Sequence, residues 1–251
     1  MLDVSVVVIA KDEADKIGEA LDSVRWADDI VVVDSGSTDA TVEIAKRYTD
    51  RVITRAWRGY GDQKNHATSL AAHDWVLSLD ADERVSPALA VELDALFSPS
   101  PPKQGYRIPR TTRYLGRWIR STDWYPDYQL RLYDRRVSRW NERPVHESVR
   151  TTGRVGRLRS EILHHAYRDV SHHLSTIERY TTLAVEQMTA DKQRAHAVDL
   201  IARPPLAFMR NYILRGGFRD GVPGLIVSLM NSYYVLLKLA KLWERQHRES
   251  P

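Results

Sequence analysis

Over its first hundred residues the chain alternates short apolar runs with amphipathic segments. Ser5 to Ala10 is apolar after its serine and rich in β-branched side chains, the pattern of a strand covered on both faces of a parallel sheet. Asp12 can cap a following helix in which Ile17, Leu21 and Val24 form one buried stripe. Ile30 to Val33 predicts a second strand. It runs into Asp34-Ser35-Gly36-Ser37-Thr38-Asp39, a cluster of turn and cap residues ahead of a helix carrying Val42, Ala45 and Tyr48. Arg51 to Thr54 predicts a third strand, Gly59-Tyr60-Gly61 a loop, Asn65 to Ala72 a short helix, and Trp75 to Leu79 a fourth strand leading into Asp80-Ala81-Asp82-Glu83. Ser86-Pro87 opens the next helix, serine as cap and proline as first residue.

This alternation predicts an α/β fold, a mostly parallel sheet with helices on both faces joined by right-handed crossovers. Ligands of such sheets lie at the carboxyl ends of the strands. Lys11-Asp12, Asp34 and Asp80-Ala81-Asp82 all stand at those ends, so three separated regions are expected to converge on one crevice. If the fourth strand persists, Asp80 and Asp82 project the same way and offer hard oxygen ligands to Mg²⁺ or Mn²⁺, with a bound diphosphate completing the shell. A bare D-x-D is more often a polar turn, but here it ends a buried strand beside other polar strand ends. Asp34 can accept a hydrogen bond from a nucleobase N–H while Gly36 allows close backbone approach; the alternative is a helix cap alone. Lys64 and Asn65 follow the two loop glycines, where a cation and an amide can reach a ligand.

Composition narrows the class. With 251 residues, 43 % hydrophobic and 28 % charged, the chain is neither disordered, collagen-like nor a polytopic membrane protein. The net charge of +4 hides an asymmetry, since residues 1–100 carry 10 basic and 19 acidic side chains and the remainder 27 and 14. An anionic partner is expected for the second part. The absence of cysteine excludes disulfides and Cys-ligated metals and fits a reducing compartment. MLDVSVVVIA has no basic region before its apolar run and reads as a strand, not a secretory signal.

Tyr128 to Tyr133 predicts a later strand by alternation and aromatic content. The adjacent pairs His164-His165 and His172-His173 diverge in any strand or helix, so they read as solvated or core histidines, not metal ligands. From about residue 170 helical periodicity takes over, with Arg203, Arg210, Arg215 and Arg219 punctuating apolar positions. Val222 to Ala240 carries one charge, Lys238, and is close to the about 20 residues that span a bilayer. Pro223-Gly224, Asn231 and Lys238 weaken a spanning helix, while the arginines and Tyr233-Tyr234 suit one lying in the headgroup layer of an anionic membrane. The alternative is a buried helix packed on the catalytic domain or in a homodimer interface. The expected division is a catalytic domain over 1–165 and a helical region over 166–251.

The stretches VVVIAKDE, VVVDSGSTDAT, GYGDQKNHA and WVLSLDADE resemble the inverting glycosyltransferases of family 2, of GT-A (Rossmann-like) fold. GYRIPR, LGRWIR, WYPDYQLRLY, RPVHESV and YILRGGFRDG resemble the lipopolysaccharide-core branch of that family, the β-1,4-glucosyltransferase (WaaE)-like group. The resemblance spans about residues 2–245. It implies a nucleotide-sugar donor, most often UDP-linked, in contact with Ala10, Lys11, Glu13, Asp34, Gly36, Lys64, Asp80, Ala81 and Asp82, with Asp82 as chief ligand of Mg²⁺ or Mn²⁺. It implies a base opposite the leaving diphosphate, here Glu147 with His146 beside it, Asp127 being the main rival and Asp123 a weaker one. Apart from the resemblance, Glu147 reads as an ion-pair partner of a nearby arginine such as Arg143 or Arg150. Many members carry two Asp where this chain has Asp34-Ser35, and no Q-x-x-R-W motif of processive synthases is present, which implies transfer of a single sugar. A lipid-linked saccharide acceptor, a peripheral place on the inner face of the cytoplasmic membrane and no nucleic-acid partner follow as expectations. Two other classes compete: a sugar-phosphate nucleotidyltransferase, for which IAKDEADKIG lacks a Gly-rich loop, and a non-catalytic binding protein, which turnover of a UDP-sugar separates.

Overall fold

Four β-branched segments form the parallel heart of a sheet: β1 (Val4–Ala10), β2 (Asp29–Asp34), β3 (Val52–Thr54) and β4 (Trp75–Asp80). The computed structural model describes residues 2–98, 100–141 and 147–248. Between these strands run α1 (Ile17–Asp22), α2 (Thr41–Ala45) and α3 (Tyr60–Ser69). After β4 come β5 (Glu83–Val85), α4 (Pro87–Phe97), β6 (Gly105–Tyr114), β7 (Arg117–Ile119), β8 (Asp127–Asp134), β9 (Ser138–Trp140), β10 (Val149–Thr151), β11 (Val155–Arg157) and β12 (Ile162–His164). Three long helices close the chain, α5 (Val170–Ala190), α6 (Ala197–Met209) and α7 (Gly221–Arg248).

The main sheet runs β3-β2-β1-β4-β8-β6-β12-β5, with β7 and β11 on β6, while β9 and β10 form a separate ribbon. β3, β2, β1 and β4 are mutually parallel, whereas β8 joins β4 and β6 antiparallel. The sheet is thus mixed, an α/β arrangement of GT-A type. Val4, Val6 and Val8 pack on one face with Leu77, Leu79, Ile17, Leu21 and Leu89; Val7, Val31 and Val33 pack on the other with Ala67, Tyr133 and Trp140. Burial on both faces is why these strands read as continuous apolar runs.

The local signals hold with two exceptions. The Ser86 hydroxyl accepts from Leu89 N–H and Pro87 leads α4, as expected. Asp12 does not cap α1; it adopts a left-handed φ of 53° and its carboxylate accepts from Thr38 N–H at 2.8 Å, so the helix starts later, at Ile17. α3 begins at Tyr60, directly after Gly59 at φ 110°, and takes in what the glycines suggested was loop.

The chain separates into two compact units, Met1–Thr111 with Asp127–His165, and Thr112–Pro126 with Ala166–Pro251. Residues 112–126 join the helical unit because Asp220 accepts from Ser121 Oγ at 2.6 Å and from Arg120 N–H at 2.9 Å, and Asn211 Oδ1 accepts from Asp123 N–H at 2.7 Å. In that unit His173 is buried, its Nδ1 lies 3.0 Å from Tyr114 Oη, and its ring packs 4.3 Å from that of Tyr167. Burial pushes its pKa down to about 4, which makes it a neutral core histidine.

Candidate active site

The ends of β2, β1 and β4 lie side by side, Ala10 in register with Asp34 and Ile9 with Asp80. The loops that follow β1 and β2 are stitched together: Ser37 Oγ accepts from Asp12 N–H at 2.9 Å and Thr41 Oγ1 from Glu13 N–H at 2.8 Å. Asp34 is buried, and its carboxylate accepts from Gly36 N–H (2.9 Å), Ser37 N–H (3.0 Å) and the Ser37 hydroxyl. Gly36, at φ 84°, supplies the left-handed residue that this turn needs. By strand alternation Asp34 and Asp80 leave the sheet on opposite faces, so the convergence is of strand ends around β1 and not of one face.

Asp80 and Asp82 do not project together. The strand stops at Asp80 and the chain turns through the buried Ala81, which sends the two carboxylates to different partners. Asp80 meets Lys64 Nζ at 2.9 Å and Arg131 Nη2 at 2.6 Å. Asp82 meets His164 Nε2 at 3.4 Å. Burial alone would raise the Asp80 carboxyl, but the Arg131 and Lys64 charges override it and hold it well below the usual carboxylate range. For Asp82 burial is likewise outweighed, chiefly by His164, and its pKa is lowered. Nearby Glu13, 3.0 Å from Lys16, is raised by burial, with the Asp82 charge adding to the effect. Lys11 is exposed at the rim, just past the buried Ala10.

The Asp80 contacts belong to a longer chain of alternating charge. Glu147 Oε1 lies 3.3 Å from Lys64 Nζ; Arg131 continues from Asp80 to Glu83 at 2.6 Å; Glu83 meets Arg110 at 3.0 Å, and Arg110 meets Asp127 at 2.7 Å. Four carboxylates thus alternate with three cations. Glu83 is fully buried and Arg131 only 4 % exposed. Lys64, also buried, sits 4.5 Å above the Trp140 ring. Nε and Nη1 of Arg131 are buried and find no acceptor among the described residues. Asp127 has both oxygens taken, one by Arg110 and the other by Gln129 Nε2 at 2.6 Å. Glu147 pairs with Lys64 and not with Arg150, and His146 lies outside the described residues. Asp123 sits in the other unit, paired with Arg210 and Arg215.

The model of the family "Glycosyl transferase family 2" matches residues 5–146. The chain belongs to glycosyltransferase family 2. A relative 31 % identical, over 97 % of this chain and 93 % of its own, is the lipopolysaccharide core biosynthesis glycosyltransferase LpsC of Rhizobium meliloti. An uncharacterised glycosyltransferase of Rickettsia prowazekii is 27 % identical over 96 % of this chain and 87 % of its own. Among solved structures, the mannosyltransferase PcManGT of Pyrobaculum calidifontis, in complex with GDP-Man and Mn²⁺, superposes with a TM-score of 0.57 at 17 % identity, covering 97 % of this chain and 88 % of that one. The shared fold is GT-A, and the protein is a glycosyltransferase.

His164, Arg131, Glu83 and Arg110 stand beside the predicted residues at these strand ends, and no motif spacing in the sequence singles them out. Spacing along the chain makes His164-His165 read as solvated or core histidines; in the structure the strand of His164 pairs with β5 and sets it against Glu83 in register, next to Asp82. Arg131, an arginine between two leucines of a buried strand, carried the available signal: such a charge survives burial only beside a carboxylate. The site fits a divalent cation in donor chemistry. A carboxylate oxygen and an imidazole nitrogen 3.4 Å apart are close to the about 3 Å that separates neighbouring ligands on one Mg²⁺ or Mn²⁺ ion. Among the described residues no group of three or more such side chains gathers.

Proposed function

We propose that the protein is an inverting, metal-dependent glycosyltransferase that moves one sugar, of glucose type, from a UDP-sugar to a lipid-linked saccharide such as lipopolysaccharide core. The observation that carries the reading is the Asp82–His164 donor pair beside the Asp80–Lys64–Glu147 bridge, at the strand ends where this fold class binds ligands. The role of the 31 % identical relative in lipopolysaccharide core biosynthesis supports the acceptor class. The complex of the mannosyltransferase with GDP-Man and Mn²⁺ supports a nucleotide sugar and a metal.

In this reading Asp82 and His164 would hold Mg²⁺ or Mn²⁺, and the ion would supply positive charge to offset that of a leaving diphosphate. Lys64 and Asp80 line the phosphate side, and the turn braced by Asp34 and Gly36, with Ala10, Lys11, Glu13 and Ala81, borders the nucleoside. Glu147 takes the proton of the acceptor hydroxyl. Asp127, with both oxygens occupied, is the poorer acceptor of a proton. Screening UDP-sugars for nucleotide release, with and without a core oligosaccharide and Mn²⁺, tests the activity. Asp82→Asn is expected to abolish the metal-assisted gain in UDP affinity by calorimetry, and an unchanged gain removes Asp82 from the metal.

The helical unit supports a membrane-borne acceptor. Val198, Ile201, Leu206, Leu214, Phe218 and Val222 are exposed, Ile201 at 76 % and Leu214 at 81 %, among Arg203, Arg210, Arg215 and Arg219. Exposed apolar side chains interleaved with arginines suit a surface resting in the headgroups of anionic lipids, each basic residue adding about 1 kcal/mol. The apolar helix region Gly217–Arg248 is long enough to cross a bilayer, but Gly224, Val227, Ser228, Leu239 and Leu242 are buried against protein, which favours a monotopic docking. Ile201→Glu with Leu214→Glu is expected to end co-sedimentation with phosphatidylglycerol vesicles while circular dichroism stays unchanged. Retained sedimentation overturns the docking surface.

A further inference from the structure

The longest helix, α7, carries a second apolar face, turned away from the helices it packs on. Val222, Leu229, Leu236 and Trp243 recur every seven residues, with Tyr233 and Ala240 at intervening positions. Val222, Leu229, Tyr233, Leu236 and Trp243 keep between 38 and 67 % of their surface exposed, while Val227, Leu239 and Leu242 on the other side of the helix are buried. Ile226, the remaining position of the repeat, is half-buried and packs toward Tyr114 and Ile119.

The charges of this helix are not on the exposed seam. Between Val222 and Trp243 the charged residues are Lys238 and Lys241. Lys241 is tied to Glu178 of α5 at 2.7 Å, and Lys238 is half-buried over the Tyr234 ring at 5.1 Å. A helix facing solvent does the reverse, with its apolar stripe inward and its charge outward. The spacing says what kind of surface covers the seam. Steps of four and three residues over three heptads give a period of 3.5, the signature of a helix wound on another helix, whereas a helix lying on lipid carries a rim of Lys and Arg. Exposed Arg203 and Arg210 supply such a rim on α6, and the seam of α7 has none.

We propose that this seam is the contact surface for a second copy of the chain, α7 against α7 as an antiparallel pair with its two-fold axis near Ser232 and Tyr233. In that register Leu229 of one copy faces Leu236 of the other, and the small Val222 faces the large Trp243. A two-fold contact of this kind uses the same patch on both copies and closes on itself. The seam runs about 30 Å along the helix. Its five exposed side chains offer, in two copies, on the order of 1,000 Å² of surface, the size at which a specific interface begins. Antiparallel pairing keeps apart the two ends bearing Arg215 and Arg219, which a parallel pair would bring together, and it sets opposed helix dipoles side by side. It also brings Glu244, exposed beside Trp243, to the Arg219 end of the other copy. The pairing uses the helical unit alone and is independent of the chemistry read at the strand ends.

By sedimentation equilibrium without lipid or detergent, the full chain is expected to be a dimer at micromolar concentration. Leu229→Glu/Leu236→Glu is expected to be a monomer, its dimer dissociation constant raised at least a hundredfold with circular dichroism unchanged. A native chain that is monomeric at that concentration, or a double variant that still pairs, overturns the interface. A monomeric native chain whose double variant also loses sedimentation with phosphatidylglycerol vesicles assigns the seam to lipid instead. Cross-linking gives a second reading that leaves the rest of the seam intact. The chain has no cysteine, so a single introduced thiol bonds only to its own copy. Oxidised Tyr233→Cys is expected to form a covalent dimer and Trp243→Cys to remain single, its two thiols lying about 30 Å apart across the two-fold axis. Absence of the covalent dimer in Tyr233→Cys overturns pairing along this seam, and a covalent dimer in Trp243→Cys overturns the antiparallel orientation.

Discussion

Glu147→Gln is expected to lower turnover by about 10²–10⁴-fold while UDP affinity stays within twofold of the native value. The substitution keeps the shape of the side chain and its contact with Lys64, 3.3 Å away, because an amide oxygen can accept in place of the carboxylate. It removes the capacity to take a proton. A loss confined to kcat identifies an interaction made in the reacting complex, whereas a rise in KM alone signals loss of binding. Asp127→Asn serves as the comparison. Its carboxylate is engaged by Arg110 at 2.7 Å and Gln129 at 2.6 Å, so the variant is expected to lose stability more than turnover. Near-native turnover in Glu147→Gln, with collapse in Asp127→Asn, transfers the base to Asp127.

The parts of this site that the sequence made legible are those written locally. Ser5 to Ala10, Ile30 to Val33 and Trp75 to Leu79 are apolar because both faces of the sheet are covered, and the polar residues just past them therefore mark strand ends. The family resemblance then implies the roles proposed for Asp82 and Lys64. Illegible were the pairings that exist only once the sheet has closed. Glu83, Arg110 and Arg131 come from β5, β6 and β8, and no spacing along the chain announces that they meet. β6 itself was missed because Arg107, Pro109, Arg110 and Thr111 break the apolar pattern, although Ile108 and Thr111 are fully buried. The expected alignment of Asp80 with Asp82 holds only if the fourth strand persists, and it stops at Asp80. The contact of His164 with Asp82 forms only once β12 pairs with β5, so spacing along the chain does not announce it.

The largest effect on stability is expected at Glu83, a residue with no assigned chemistry. Its side chain is fully buried, one oxygen accepting from Arg131 at 2.6 Å and Arg110 at 3.0 Å, the other from Asp80 N–H at 3.0 Å. Removing one member of a buried ionic network leaves charge uncompensated in a poorly solvated place, and such losses run to about 3–5 kcal/mol. Glu83→Gln retains volume and an acceptor but not the charge, and it leaves Arg131 to Asp80 alone and Arg110 to Asp127 alone. For a chain of this size the loss corresponds to a fall in melting temperature on the order of 10 °C. The exposed helical pair Glu43–Arg47, 2.7 Å apart, provides the control, since Glu43→Gln should cost under about 1 kcal/mol. Equal, small shifts in both variants would mean that the network is as well solvated as a surface pair. A large shift at Glu83 alone, accompanied by weaker UDP binding, would show that the same buried charges that hold β5, β6 and β8 together also fix Asp80 and Lys64 for the ligand.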